Sequence, residues 1–373
     1  MDRLKVCIVG AGNIGLVSLG VISSTDRYDV VLYTNHAVDP ETFALFDAER
    51  NESHGTLRFT VESDARSALS GADYVICTYP AFLRGSFIAE CGEYIEPGAK
   101  LGFFPGYGGA EYAAKSLIDR GVVVFGLQRV PFVSRQEGRK VATLLSRKSC
   151  LYVSAIPKRH ETQICEDLND MLGIPVKALK EYLAVTLAPS NPLLHLTGLY
   201  GVLHDFKAGD SFDRPLKFYE EWNDETSKML FAYDAELQEI CSRIPLDLSD
   251  VVPLPVYYES PTPEHLTKKL KSIKAFEVVT VPLREDGGRY YPDYSSRMFI
   301  EDFPFGIAII KYFALLTDVQ TSTIDEILRF YEEQCGIVYF NDDGTLGKDI
   351  LSSGIPGNYG LDTIEKVVDF YQQ

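Results

Sequence analysis

Short apolar runs alternate with helical patterns through the first half of the chain. Leu4-Lys5-Val6-Cys7-Ile8-Val9 reads as a buried strand, and Val30-Val31-Leu32-Tyr33, Ala72-Asp73-Tyr74-Val75-Ile76-Cys77, Lys100-Leu101-Gly102-Phe103-Phe104 and Val122-Val123-Val124-Phe125 follow at similar intervals. Buried strands separated by helical stretches predict an α/β domain with a doubly wound parallel sheet. From about residue 180 the texture changes. Phe218, Trp222, Met229, Leu230, Tyr233, Leu237 and Ile240 recur at helical spacing, and residues 305–313 and 324–331 repeat that pattern. The division predicted is a sheet domain over residues 1–182 and a mostly helical one over residues 183–373.

After the first strand the chain runs Gly10-Ala11-Gly12-Asn13-Ile14-Gly15 into a helical segment. This glycine spacing between strand and helix is the context a pyrophosphate-binding turn requires. Gly10 permits the turn, Gly12 leaves room for phosphate, and Gly15 lets helix and strand approach; the first-turn amides of Asn13 and Ile14 face the anion. The domain is therefore read as a Rossmann-type dinucleotide domain. Ligands on such sheets lie at the carboxyl ends of the strands. Thr34, Thr78, Pro80, Pro105, Gly106 and Tyr107 stand at those ends and are expected to border the cofactor. An NAD site usually carries an acid after the second strand and an NADP site a cation. Here Thr34-Asn35-His36 offers neither, with Asp39 the first acid and Arg50 the first cation. NAD(P)H is expected, with NADH favoured.

At 373 residues the chain exceeds what one core usually supports, which agrees with two domains. A net charge of -17 with no basic run speaks against nucleic acid or anionic membrane as partners. The seven cysteines form no C-x-x-C pair and mostly lie in apolar runs, as in a reduced cytosolic protein. A first strand at Leu4 leaves no space for a signal peptide, and Lys311 and Asp318 interrupt the apolar stretch 305–319. A cytoplasmic location is expected. No histidine pair has metal-ligand spacing, so no metal is expected.

Two segments of the second domain could bring a proton and an anion clamp to a nicotinamide. Ala188-Pro189-Ser190-Asn191-Pro192-Leu193-Leu194-His195 puts a histidine at an apolar helix start. A histidine among leucines is read either as a core residue or as an acid/base group. Ser296 to Gly306 carries Arg297, Glu301 and Asp302, with Arg297 and Glu301 on one helical face. That spacing fits a solvated ion pair as well as a site. An arginine fork suits a substrate carboxylate, and a carboxylate on a histidine nitrogen fixes its tautomer.

Asp286-Gly287-Gly288, Pro292-Asp293-Tyr294, Arg297, Glu301-Asp302 and Pro304-Phe305-Gly306 together resemble the signature of the octopine/nopaline (opine) dehydrogenase family. The likeness extends in order over Pro80-Ala81-Phe82, residues 105–109, Asn191-Pro192 with His195, Phe218-Tyr219-Glu220-Glu221 and Leu346-Gly347-Lys348-Asp349. The resemblance implies an all-helical second domain and NAD(P)H-dependent reductive condensation of an amino acid with a 2-keto acid. It implies His195 as the acid/base residue, Asp302 as its partner and Arg297 as the clamp on a substrate carboxylate. The stretch 128–135, which begins with Gln128 and Arg129, lies where the family contacts substrate, but its residue types differ from those expected of an arginine-specific enzyme. Leu196 also stands where the family often has proline. Which amino acid is used stays open, and a homodimer stays open. Similar folds host ketopantoate-type keto acid reductases, and a dinucleotide sensor without turnover would keep the same pocket.

Overall fold

The computed structural model describes every residue except Met1, Asp2, Asp26, Thr56, Pro189 and Ala208. It divides into two compact units, Met1–Thr186 with Val368–Gln373, and Leu187–Val367. Pro189 of the histidine-bearing segment thus lies outside the described residues.

The strands of the first unit are β1 (Leu4–Val9), β2 (Tyr28–Tyr33), β3 (Ala44–Asp47), β4 (Glu52–His54), β5 (Thr60–Glu62), β6 (Tyr74–Cys77), β7 (Lys100–Phe103), β8 (Val123–Leu127), β9 (Phe132–Glu137), β10 (Val141–Arg147), β11 (Leu151–Ile156) and β12 (Val176–Ala178). Eight form one sheet in the order β12-β11-β8-β7-β6-β1-β2-β5. At its centre Val6, Cys7, Ile8 and Val9 are wholly buried, because both faces of a parallel sheet are covered. The α/β, Rossmann-like expectation is met, with one departure: β11 runs antiparallel to β8. The chain between them is the β9–β10 hairpin instead of a crossover helix, and only a crossover would return the chain parallel.

A second sheet of order β4-β3-β10-β9 was not legible in the polar stretch after β2. The Asn13–Ser23 helix is apolar nearly all round because it packs on both sheets. A Cβ on Gly20 would lie 2.9 Å from Cβ of Leu45 on β3.

The second unit is mainly helical, in agreement with the expectation. Residues 218–240 are not one helix, however. Phe218–Glu221 is a single turn, and a new helix begins at Asp224 because the Asn223 side chain accepts the Thr226 amide at 2.9 Å. The Asp286-Gly287-Gly288 signature is a hairpin turn joining β13 (Leu283–Asp286) to β14 (Arg289–Pro292), with Gly287 and Gly288 at φ +59° and +77°. Leu283-Arg284-Glu285-Asp286 has no period-two pattern, so the hairpin left no trace in the hydrophobic reading. Among the described residues no helix is long and apolar enough to cross a membrane.

Candidate active site

Parallel register brings the ends of the central strands side by side. Val9 pairs with Tyr33 on one flank and Cys77 on the other, and Cys77 with Phe103. The next residues, Gly10, Thr34, Thr78 and Phe104-Pro105, therefore leave the sheet at one edge. The direction of winding reverses between β1 and β6, and a crevice at such a switch point is where these sheets bind ligands. Gly10 has φ +103°, and a Cβ there would lie 2.9 Å from Thr78 Oγ1. A Cβ on Gly15 would lie 2.0 Å from the Gly10 carbonyl oxygen, so only glycine lets the helix start this close to β1. Gly12, by contrast, opens on space with nothing within 4 Å of its Cβ direction, and the helix has no side-chain cap. Open space before the first-turn amides of Asn13, Ile14 and Gly15 fits a pyrophosphate.

The other residues of this edge have identifiable tasks. Thr78 Oγ1 donates to the Val9 carbonyl at 2.9 Å. Thr34 is buried and its hydroxyl accepts the His36 amide at 3.1 Å, which shapes the turn after β2. Pro80 starts the Ala81–Cys91 helix, the Gly106 amide donates to Leu127 at 2.7 Å, and Gln128 Nε2 donates to the Ala184 carbonyl at 3.3 Å. Arg129 is half-buried at the end of β8.

Sequence reasoning missed Arg84. It stands on the Ala81–Cys91 helix with 2 % exposure, and its guanidinium donates to the carbonyls of Tyr79 (3.0 Å), Pro105 (2.8 Å) and Tyr107. One buried cation thereby ties the loop after β6 to the loop after β7. Glu111, also missed, is fully buried just beyond that second loop and accepts from Thr186 and from Tyr371 at 2.9 Å. Burial pushes its carboxyl up to about 7, against the pull of those hydrogen bonds and of Arg84. Neither residue carries a local signal, since an arginine or glutamate in a short helix ordinarily points to solvent.

In the second unit the Ser190–Leu203 helix carries His195 on its second turn. In the Ser296 to Gly306 segment the helical spacing read for Arg297 and Glu301 spans only a short turn. Arg297–Ile300 is one turn, and a π-helical turn over Phe303–Ile307 precedes the Ala308–Thr317 helix. Such turns recur at functional sites because they re-aim side chains. Here the turn is clamped by Phe303, whose ring stacks 3.7 Å from that of Tyr331, and by Gly306 against Pro192. It presents Asp302 to His195, with Oδ2 2.7 Å from Nδ1.

Asp302 is 4 % exposed. Burial and the neighbouring Glu301 raise its carboxyl above the ordinary range, opposed by His195 and Arg297. Nδ1–H donates to this carboxylate, which fixes the tautomer and leaves Nε2 without a hydrogen bond among the described residues. Phe218 packs its ring edgewise on the imidazole at 6.0 Å. The Tyr233 hydroxyl, buried without a hydrogen bond, lies within the field of Asp302. Arg297 Nε donates to Glu301. His195 and Asp302 are thus brought together 107 residues apart in the chain. Among the described residues no cluster of three or more potential ligands could hold a metal.

Residues 178–335 match the family described as NAD/NADP octopine/nopaline dehydrogenase, alpha-helical domain. The chain is 28% identical to octopine dehydrogenase of Mizuhopecten yessoensis, covering 98% of each. It is 24% identical to tauropine dehydrogenase of Arabella iricolor, covering 99% of this chain and 100% of that one. A solved structure of octopine dehydrogenase with NADH and L-arginine has the same fold, with TM-score 0.86 at 23% identity and 98% of both chains covered. The chain thus matches the family's helical-domain model over residues 178–335 and is similar to octopine dehydrogenases over 98% of its length.

Proposed function

We propose that this protein is an NAD(P)H-dependent opine dehydrogenase. It condenses the amine of an amino acid with a 2-keto acid, reduces the imine to a secondary-amine dicarboxylate, and runs the reverse oxidation. The observation that carries the reading is the His195–Asp302 pair: a tautomer fixed at 2.7 Å, with Nε2 left for proton transfer, on a helix neighbouring the Arg297 turn.

When bound, the nicotinamide supplies the hydride. The chain's own residues supply position and protons. Gly10, Gly12, Asn13, Ile14 and Gly15 hold the pyrophosphate, while Thr34, Thr78, Pro80, Pro105 and Gly106 border the rest of the dinucleotide. The turn after β2 offers no cation for a 2′-phosphate, which favours NADH. Arg297 binds the carboxylate of the keto acid through paired charge-assisted hydrogen bonds. Tyr107, Gln128 and Arg129 are the residues of the first unit that would contact substrate.

The free amine attacks the keto carbon, its nitrogen loses a proton and the former carbonyl oxygen gains one. His195 Nε2–H then protonates the departing hydroxyl, so that water leaves and the imine forms with its nitrogen protonated, His195 being left neutral. In the oxidative direction neutral Nε2 takes the amine proton. Asp302 stabilises the imidazolium in both directions without itself accepting the proton. The setting is the cytoplasm, where thiols such as those of the seven cysteines stay reduced.

The test is NADH oxidation over a panel of 2-keto acids with and without amino acids. Amine-dependent turnover is expected. Turnover without any amine would make the protein a keto acid reductase, and tight NADH binding without turnover on any pair would make it a sensor.

A further inference from the structure

Arg297 and Glu301 form a second charge pair one peptide bond from the His195–Asp302 pair, and the two partners are unequal. The Glu301 side chain is 4% exposed, whereas that of Arg297 is 66% exposed. A solvated i,i+4 pair exposes both members, as Lys366 and Asp362 do at 54% and 57%. Burying a carboxylate to meet an arginine that remains in solvent costs desolvation that a surface pair would avoid. Glu301 is held there by the end of the Arg297–Ile300 turn, where its own amide donates to the Arg297 carbonyl at 3.0 Å.

The contact is made at Nε. A guanidinium is planar, so a carboxylate fixed on Nε sets the rotation of the whole group about Cδ–Nε and with it the direction of the Nη fork. A long exposed side chain otherwise loses much rotamer freedom when it binds an anion. Glu301 and Arg297 also act in opposite senses on Asp302. The pair therefore places a cation near the dyad while its charge is balanced there.

From this geometry we infer that Glu301 is a positioning residue for the keto acid: it holds Arg297 by its Nε edge so that the fork meets the substrate carboxylate in one orientation. The inference rests on Arg297 being the carboxylate clamp. It assigns to Glu301 the selection of 2-keto acids over uncharged ketones.

The experiment compares pyruvate with methyl pyruvate, at saturating NADH and amine, for the parent chain, Glu301→Gln and Arg297→Lys. Glu301→Gln is expected to raise KM for pyruvate about tenfold or more, the scale of a charged hydrogen bond, with a smaller change in kcat. KM for methyl pyruvate should stay put, so the preference for the charged substrate shrinks. Glu301→Gln that moves both KM values together, or neither, while Arg297→Lys still loses pyruvate affinity, overturns the positioning role and spares the clamp. Arg297→Lys with a normal pyruvate KM overturns the clamp and the inference with it. Should Glu301→Gln not fold, Glu301→Asp reads the same split, since it keeps the charge but withdraws the carboxylate by one methylene from Nε.

Discussion

A Cβ on Gly306 would lie 2.6 Å from both Cβ and Cγ of Pro192. This contact joins the π-helical turn after Asp302 to the helix that carries His195, three residues beyond Pro192. A proline ring cannot swing aside as a flexible side chain would. Gly306→Ala should therefore move the two elements apart, although glycine to alanine inside a helix is ordinarily favourable by about 1 kcal/mol. Turnover is expected to fall about tenfold to a hundredfold, as for misplaced catalytic groups, with NADH affinity unaltered in fluorescence titration. Normal turnover in the alanine variant would show that the contact does not set the dyad.

The dyad has its own signature. His195→Asn should lose roughly 10²–10⁴-fold in kcat, the scale of general acid/base catalysis, while NADH binds as before. Asp302→Asn leaves the imidazole without its anionic partner and should slow turnover as well. The double variant should be little worse than the worse single one, because the residues act as a unit. Additive losses in the cycle would mean that the hydrogen bond at 2.7 Å has no part in the chemistry.

These two cases mark what the sequence could and could not convey. The conformation of the glycine turn was legible, because a Cβ on Gly15 would lie 2.0 Å from the Gly10 carbonyl oxygen, a local demand that only glycine meets. The ends of β1, β2 and β6 were legible because each is a short apolar run stopped by Gly10, Thr34 or Thr78. His195 and Asp302 were not: nothing in the spacing of either segment selects the other, and their pairing came from family resemblance alone. The π-helical turn that aims Asp302 depends on Phe303 meeting Tyr331, a tertiary contact invisible to helical periodicity. Arg84 and Glu111 escaped because their burial is decided by carbonyls and hydroxyls far away in the chain.

Arg84 should matter for the cofactor without touching it. Arg84→Lys keeps the charge but replaces a fork spanning three carbonyls with a single ammonium. The loops after β6 and β7 lose their common anchor, and each lost charged hydrogen bond contributes about 1.5–3 kcal/mol. NADH affinity should weaken tenfold or more and the melting temperature should drop, with far-ultraviolet circular dichroism near that of the parent. Unchanged affinity together with a lower melting temperature would confine Arg84 to stability.

At the other side of the same edge, Gly12→Val fills the open space before the first-turn amides. No protein atom lies within 4 Å of the position its Cβ would take, so the fold should persist. Cofactor binding should collapse. A valine variant that titrates with NADH like the parent would move the pyrophosphate elsewhere.

Glu111 makes stability depend on pH in a direction opposite to that of ion-paired carboxylates. Asp47, held by Arg147, lies below the ordinary carboxylate range and stabilises the fold once ionised. Glu111 is raised from 4.5 to about 7, because it is buried, with one oxygen accepting from Thr186 and Tyr371 and the other without a hydrogen bond. Between those two values the unfolded chain has lost a proton that the native state keeps. Stability contributed by this group is therefore full below about pH 4.5, falls as the pH rises toward 7, and is level above that. At about 1.4 kcal/mol per unit, the fall is on the order of 3 kcal/mol. Asp234 in the second unit, raised to about 6 by burial, acts in the same sense over a narrower range. Glu111→Gln removes the titration, at the cost of an amide group facing the unpaired side. The readout is accordingly the slope of stability between pH 5 and 8, from denaturant melts of parent and variant, and not the absolute value at one pH. A shallower slope in Glu111→Gln is expected; identical slopes would place the native proton on another group.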